Sequence, residues 1–147
     1  MSDTIPTFGK RDPGTLYVPR PSAYVLLLDD TGRLAIVISP QGTFLPGGGV
    51  DEGESYDQAA IREAREECGF VVTELKLLCN ATQYVRSLKY QQYFEKQCRF
   101  FTGIVEREEG TAEPDHTTVW LSREQALAAL THESHRYAVN RLFSPGT

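Results

Sequence analysis

The chain has 147 residues, with 20 acidic against 15 basic side chains and a net charge of −5. That length suits one domain with a core of its own, and the acidity argues against a protein that grips bulk nucleic acid. No apolar run is long enough to span a bilayer, and the N-terminal MSDTIPTFGKRDPG lacks the apolar centre of a secretion signal, so the expectation is a cytoplasmic protein without a membrane partner. Cys68, Cys79 and Cys98 are too few and too irregularly spaced for a disulfide framework or a zinc site. They read as small buried side chains, and the three histidines as structural or surface residues.

Residues 1–14 read as a loosely held N-terminal arm, and 15–147 as a single domain. SAYVLLLD (22–29) and RLAIVIS (33–39) are β-rich runs joined by Asp30-Thr31-Gly32, a hairpin signal. Both are apolar almost throughout, as expected of a sheet covered on both faces. TFLPGGGVDEGE (43–54) is broken by Pro46 and four glycines and reads as a loop. A helix over Tyr56–Cys68 follows. Ser55 and Gln58 form a capping box, Gly69 stops it, and Ala60, Ile61, Ala64 and Cys68 supply a buried stripe. FVVTELKLLC, ATQYVRS and QCRFFTGIV (97–105) read as strands, EREEGTAEPD (106–115) as a polar loop and TTVWLS (117–122) as a short strand. REQALAALTH (123–132) and HRYAVNRLF (135–143) read as helices. Strands flanked by an early and a late helical segment predict an α/β (α+β) fold, a mixed sheet with helices on both faces.

The chemistry concentrates in GGVDEGESYDQAAIREAREECGF (48–70). Glu63, Glu66 and Glu67 stand three and four residues apart, which puts their carboxyl groups near one another on a helix face. Like charges so placed repel, and a hard divalent cation relieves the repulsion. The glycine-rich loop before the helix lets backbone groups approach a ligand, its carbonyls a cation and its amides a phosphate. An acid-rich helix alone is more often a solvated face; the loop beside it points to phosphoryl chemistry.

The whole segment resembles the Nudix box: Gly, five residues, Glu, seven residues, then Arg-Glu-U-x-Glu-Glu-x-Gly-U, with U a bulky apolar residue. Gly48, Glu54, Arg62, Glu63, Glu66, Glu67 and Gly69 supply all seven fixed letters at the right spacing. At roughly 7% background per residue type, chance gives this on the order of 10⁻⁸ times per starting position. Ala64 departs from the first U position; Phe70 fits the second. Leu45-Pro46-Gly47 and the order of elements are also similar to MutT-like Nudix hydrolases, whose fold is an α/β/α sandwich. Pro6-Thr7-Phe8-Gly9 and Ser134-His135-Arg136-Tyr137-Ala138-Val139 resemble an uncharacterised bacterial subgroup.

The resemblance implies a pyrophosphohydrolase that uses Mg²⁺, or Mn²⁺, to split a small nucleoside diphosphate derivative. Glu66 and Glu67 would be the main metal ligands, with the carbonyl of Gly47. Glu63 would be a third ligand or the base that deprotonates the attacking water. Arg62 would orient a glutamate, and Glu54 would brace loop and helix. An additional acid would come from a distant loop, with Glu113, Asp115, Glu108 and Glu109 as candidates. The resemblance is also compatible with a homodimer.

Substrate choice should lie outside the box. Arg20 and Gly48 are candidates for phosphate contact. Tyr84 and Arg86 are candidates for holding a base and its phosphates, in a cluster with Lys89, Tyr90, Tyr93 and Phe94 that reads equally well as an aromatic strand face. A nucleotide-sensing domain with this fold and no turnover is the alternative from another class. Its mark would be degenerate carboxylates, and all three are intact.

Overall fold

The computed structural model describes residues 4–144. In chain order the strands are β1 (Thr7–Phe8), β2 (Val18–Leu27), β3 (Leu34–Ser39), β4 (Gly42–Phe44) and β5 (Gly47–Gly49), then α1 (Tyr56–Cys68). The long strands β6 (Phe70–Ser87) and β7 (Gln92–Glu108) follow, then β8 (Thr117–Leu121), α2 (Arg123–Ala129) and α3 (Glu133–Phe143). A five-stranded sheet has the order β1-β6-β7-β2-β5, and a three-stranded sheet the order β4-β3-β8. No described helix is long and apolar enough to cross a membrane.

β2 organises the molecule. Its residues 22–27 are all buried, because both faces are covered. Tyr24 and Leu26 pack into a core with Ala126 of α2, Leu130 just after it, and Ala138 and Val139 of α3. Ala23, Val25 and Leu27 pack against Ala59, Ala60 and Ala64 of α1. Helices therefore lie on both sides of a mixed sheet, the α/β/α sandwich expected of the sequence. Both edges of β2 are occupied as well, by β7 in parallel and by β5 antiparallel.

That occupancy corrects the expected hairpin. Asp29 closes the turn by accepting from the backbone N–H groups of Thr31 and Arg33, each at 2.9 Å, yet β2 and β3 share only the Leu28–Leu34 bridge. With no free edge left on β2, β3 departs into the second sheet and pairs with β4 and β8. The expected loop over 43–54 also contains most of β4 and all of β5. The two strands expected on either side of Asn80 are one continuous strand, β6, bent by bulges near Val71, Thr73 and Leu77.

The early helix matches its expected bounds. Ser55 Oγ accepts from Gln58 N and Gln58 Oε1 accepts from Ser55 N, and Gly69 ends the helix with φ of 73°. The buried stripe differs by one position: Ala59 is inside and Ile61 is 40% exposed. α3 begins two residues earlier than expected and α2 stops three residues sooner. The cysteines are free, with Cys79 and Cys98 buried and Cys68 half-buried.

Part of the N-terminal arm is tied down. β1 pairs in parallel with Thr82 and Gln83 of β6, and Gly9 N donates to Glu133 Oε1 at 3.2 Å. The Phe8 ring lies 5.5 Å from that of Tyr137, and Gln83 Oε1 accepts from the buried Ser134 N at 2.9 Å. The N-terminal segment 6–9 and the α3 segment 134–139 thus meet across Gln83.

Candidate active site

α1 presents its polar face to β5, and Arg62 is the hub between them. Its Nε and Nη2 donate to the two carboxylate oxygens of Glu54, at 2.8 and 3.0 Å. Nη2 also donates to the Gly49 carbonyl at 3.0 Å, and Nη1 to Glu63 Oε1 at 2.7 Å and to both oxygens of Glu66 at 3.2 Å. One planar guanidinium thereby joins the loop, the helix start and two glutamates. The bidentate contact, together with the Asp51 N–H donating to Glu54 Oε1, holds the Glu54 carboxyl down to about 2.

Glu67 has no such cation. Its side chain is 13% exposed, and its Oε1 accepts from Gly47 N at 2.8 Å. Burial pushes its carboxyl up to about 9, with the charges of Glu63, Glu113 and Glu66 adding to the rise. Glu63 is raised too, by burial first and then by Glu66 and Glu113, against the lowering by Arg62. The glutamates do not converge on a common point: Glu63 and Glu66 turn to Arg62, and Glu67 turns to the glycine strand. The crowding of carboxyl oxygens around one guanidinium fits a hard divalent cation, which would supply the missing positive charge.

The glycines of β5 are required by close approach. A Cβ on Gly48 would sit 2.9 Å from the Glu63 carboxylate. Gly47 has φ of 151°, and a Cβ there would collide with the Ala23 carbonyl and Tyr24.

The 109–116 loop folds back onto α1. Glu113 N donates to the Glu66 carbonyl at 3.0 Å, which brings the Glu113 carboxyl into the field of Glu63 and Glu67. Of the four expected loop acids, Glu113 faces the cluster. Glu109 is engaged by Arg65 and Arg107, at 2.9 and 2.8 Å. Asp115 lies 2.8 Å from His116 Nδ1, and His116 Nε2 lies 3.8 Å from Glu67 Oε2. Ligand atoms of Glu113, Asp115 and His116 fall within 4.8 Å of one another. His116, expected from the sequence to be a structural or surface residue, is thus brought beside Glu67. Its adjacency to Asp115 in an acidic loop was the available signal.

The family model described as NUDIX domain matches residues 18–142. The chain belongs to the NUDIX family. Solved structures agree in fold. A NUDIX hydrolase from Nitrosomonas europaea superposes with a TM-score of 0.69 at 18% identity, over 86% of this chain and 89% of that one. A MutT NUDIX hydrolase from Burkholderia pseudomallei gives 0.69 at 23% identity, over 84% and 98%. The E. coli dihydroneopterin triphosphate pyrophosphohydrolase gives 0.60 at 24% identity, over 84% and 96%.

Within this NUDIX domain, the substrate candidates named outside the box separate. Arg20 packs directly on Gly49, where a Cβ would collide with its guanidinium. Tyr84 and Arg86 are not brought to the glutamates. Tyr84 donates to Glu95 Oε1 at 3.1 Å and stacks edge-on with Tyr17, and Arg86 pairs with Tyr93 beyond the end of β2. They line an aromatic patch at the tip of the β6–β7 hairpin.

Proposed function

We propose that this NUDIX-family chain is a Mg²⁺-dependent pyrophosphohydrolase. It would split a phosphoric anhydride bond in a small nucleoside diphosphate derivative, giving a nucleoside monophosphate and a second phosphorylated product. The observation that supports this most is Glu67, a carboxyl group buried among three others and lifted to about 9. Such a group is costly unless a cation is to share the site.

Glu66, Glu67, the Gly47 carbonyl and Glu113 would hold the ion, and Mn²⁺ suits the same oxygen donors. When bound, the ion supplies charge against phosphate oxygens and acidifies water. The protein's own part is positioning and proton transfer. Glu63, raised by burial, takes the proton of the attacking water while Arg62 holds its carboxylate in place. Glu54 keeps Arg62 oriented by its two-oxygen contact. The β5 amides and glycine surface leave room for phosphate beside the carboxylates.

The test is a panel of nucleoside triphosphates, dinucleoside polyphosphates and nucleotide sugars incubated with the protein and Mg²⁺. Phosphate is read after phosphatase treatment. Product is expected from at least one class, and EDTA should abolish it. A protein that binds Mn²⁺ by electron paramagnetic resonance yet turns over none of them would instead be a nucleotide-sensing domain.

A further inference from the structure

β5 has two faces, and the chemistry above uses one. Successive strand positions point to opposite sides of a sheet, so a Cβ on Gly48 would meet Glu63, whereas a Cβ on Gly49 would meet the guanidinium of Arg20. Arg20 is the register partner of Lys96 in the parallel β2–β7 pair, and both side chains share the face that carries Tyr24 and Phe100. The Arg20 guanidinium carbon stands 5.9 Å from the Phe94 ring centroid. The His132 ring lies 5.2 Å from Phe44 and 5.4 Å from His135.

Among the described residues, no anion meets this pair: the side chains of Arg20 and Lys96 form no salt bridge and no hydrogen bond. Burial lowers the Lys96 ammonium, and Arg20 lowers it further. The neighbouring Cys98 thiol, pushed up to about 12 by burial, is neutral. His132, lowered to about 4 by burial and then by Lys96 and Arg136, is neutral as well, and His135 is lowered in the same way. Two adjacent, partly desolvated cations without a counter-charge are costly. They stand out in a chain where acids outnumber bases by 20 to 15, since a compensating carboxylate was readily available.

We propose that Arg20 and Lys96 form an anion subsite on the face of β5 opposite Glu63, holding a phosphoryl group of the substrate outside the bond that is hydrolysed. The assignment of that anion to the substrate rests on the pyrophosphohydrolase reading. It selects substrates with an additional phosphoryl group, such as nucleoside triphosphates, over diphosphates linked to an uncharged sugar. Arg20 offers a planar fork for phosphate oxygens, and Lys96 a point charge beside it.

The experiment is calorimetric titration of the whole protein with inorganic tripolyphosphate in EDTA, so that no metal contributes. Wild type should bind. Arg20→Gln and Lys96→Met should each weaken binding by about tenfold or more, Lys96→Arg should restore it, and Glu67→Gln should bind at least as tightly as wild type. With Mg²⁺, the same two losses should raise KM for a nucleoside triphosphate and leave a nucleotide sugar within about threefold. Melting curves confirm that the variants are folded, and Arg20→Gln, at a half-buried strand end, stands in if Lys96→Met is not. Wild type that fails to bind tripolyphosphate, or folded variants that bind it as wild type does, overturns the subsite even if hydrolysis proceeds. Loss of binding in the variants without turnover of any substrate retains the subsite and removes the hydrolase reading.

Discussion

Replacing Glu67 by glutamine should stabilise the metal-free protein and weaken the metal-loaded one. The carboxyl titrates near 9 in the folded chain against 4.5 in the unfolded one. Between those values the folded state keeps a proton that the unfolded state has released, so stability falls as pH rises through that window and is level outside it. At about 1.4 kcal/mol per pH unit, the burden reaches about 3 kcal/mol at pH 7. Glutamine keeps the shape, still accepts from Gly47 N, and carries no charge. In EDTA at pH 7 the variant should therefore melt higher, by about 6–12 °C if the whole burden is relieved. The gap should close near pH 4.5 and widen towards pH 9. Adding Mg²⁺ should reverse the order, because only wild type gains the full binding free energy of the ion. The assay is thermal unfolding at several pH values with EDTA or Mg²⁺. Parallel melting curves for the two proteins from pH 5 to 9 in EDTA would refute the reasoning.

Arg62→Gln should cost about 2–4 kcal/mol, since it strands Glu54 and Glu63 without their partner, and Arg62→Lys should recover little because one ammonium cannot span Glu54, Glu63 and Gly49; denaturant titration reads both. Glu63→Gln should lower turnover by about 10²-fold or more while at least one Mn²⁺ still binds, as seen in paired kinetics and paramagnetic resonance. Glu113→Gln should weaken metal binding by about tenfold, whereas Glu109→Gln, whose carboxylate is taken by Arg65 and Arg107, should leave it unchanged. Gln83→Leu should destabilise the fold by about 1–3 kcal/mol by leaving the buried Ser134 N–H without an acceptor, which chemical denaturation measures.

The glutamate-bearing helix α1 and its loop were legible in the sequence because short-range physics specifies them. A capping box spans three residues, a left-handed stop needs a glycine, and the glutamate spacing is one helical turn. The sandwich followed from apolar runs that only a doubly covered sheet accommodates. Tertiary structure decided everything set by pairing at a distance. β2 and β3 read as a hairpin, yet β7 and β5 took both edges of β2 and sent β3 into another sheet. Tyr84 and Arg86 share a strand with Asn80 and Ala81, but the register carries them to a remote tip. Glu113 and His116 sit in a polar loop without periodicity, and long-range contacts, among them the bond from Glu113 N to the Glu66 carbonyl and the Arg65–Glu109 pair, bring that loop to α1. Arg20 and Lys96 lie 76 positions apart in the numbering and become neighbours through parallel strand pairing. Nothing local in a sequence encodes such a partner, because backbone hydrogen bonds are the same for every residue and the choice among edges is settled by the packing of the whole core.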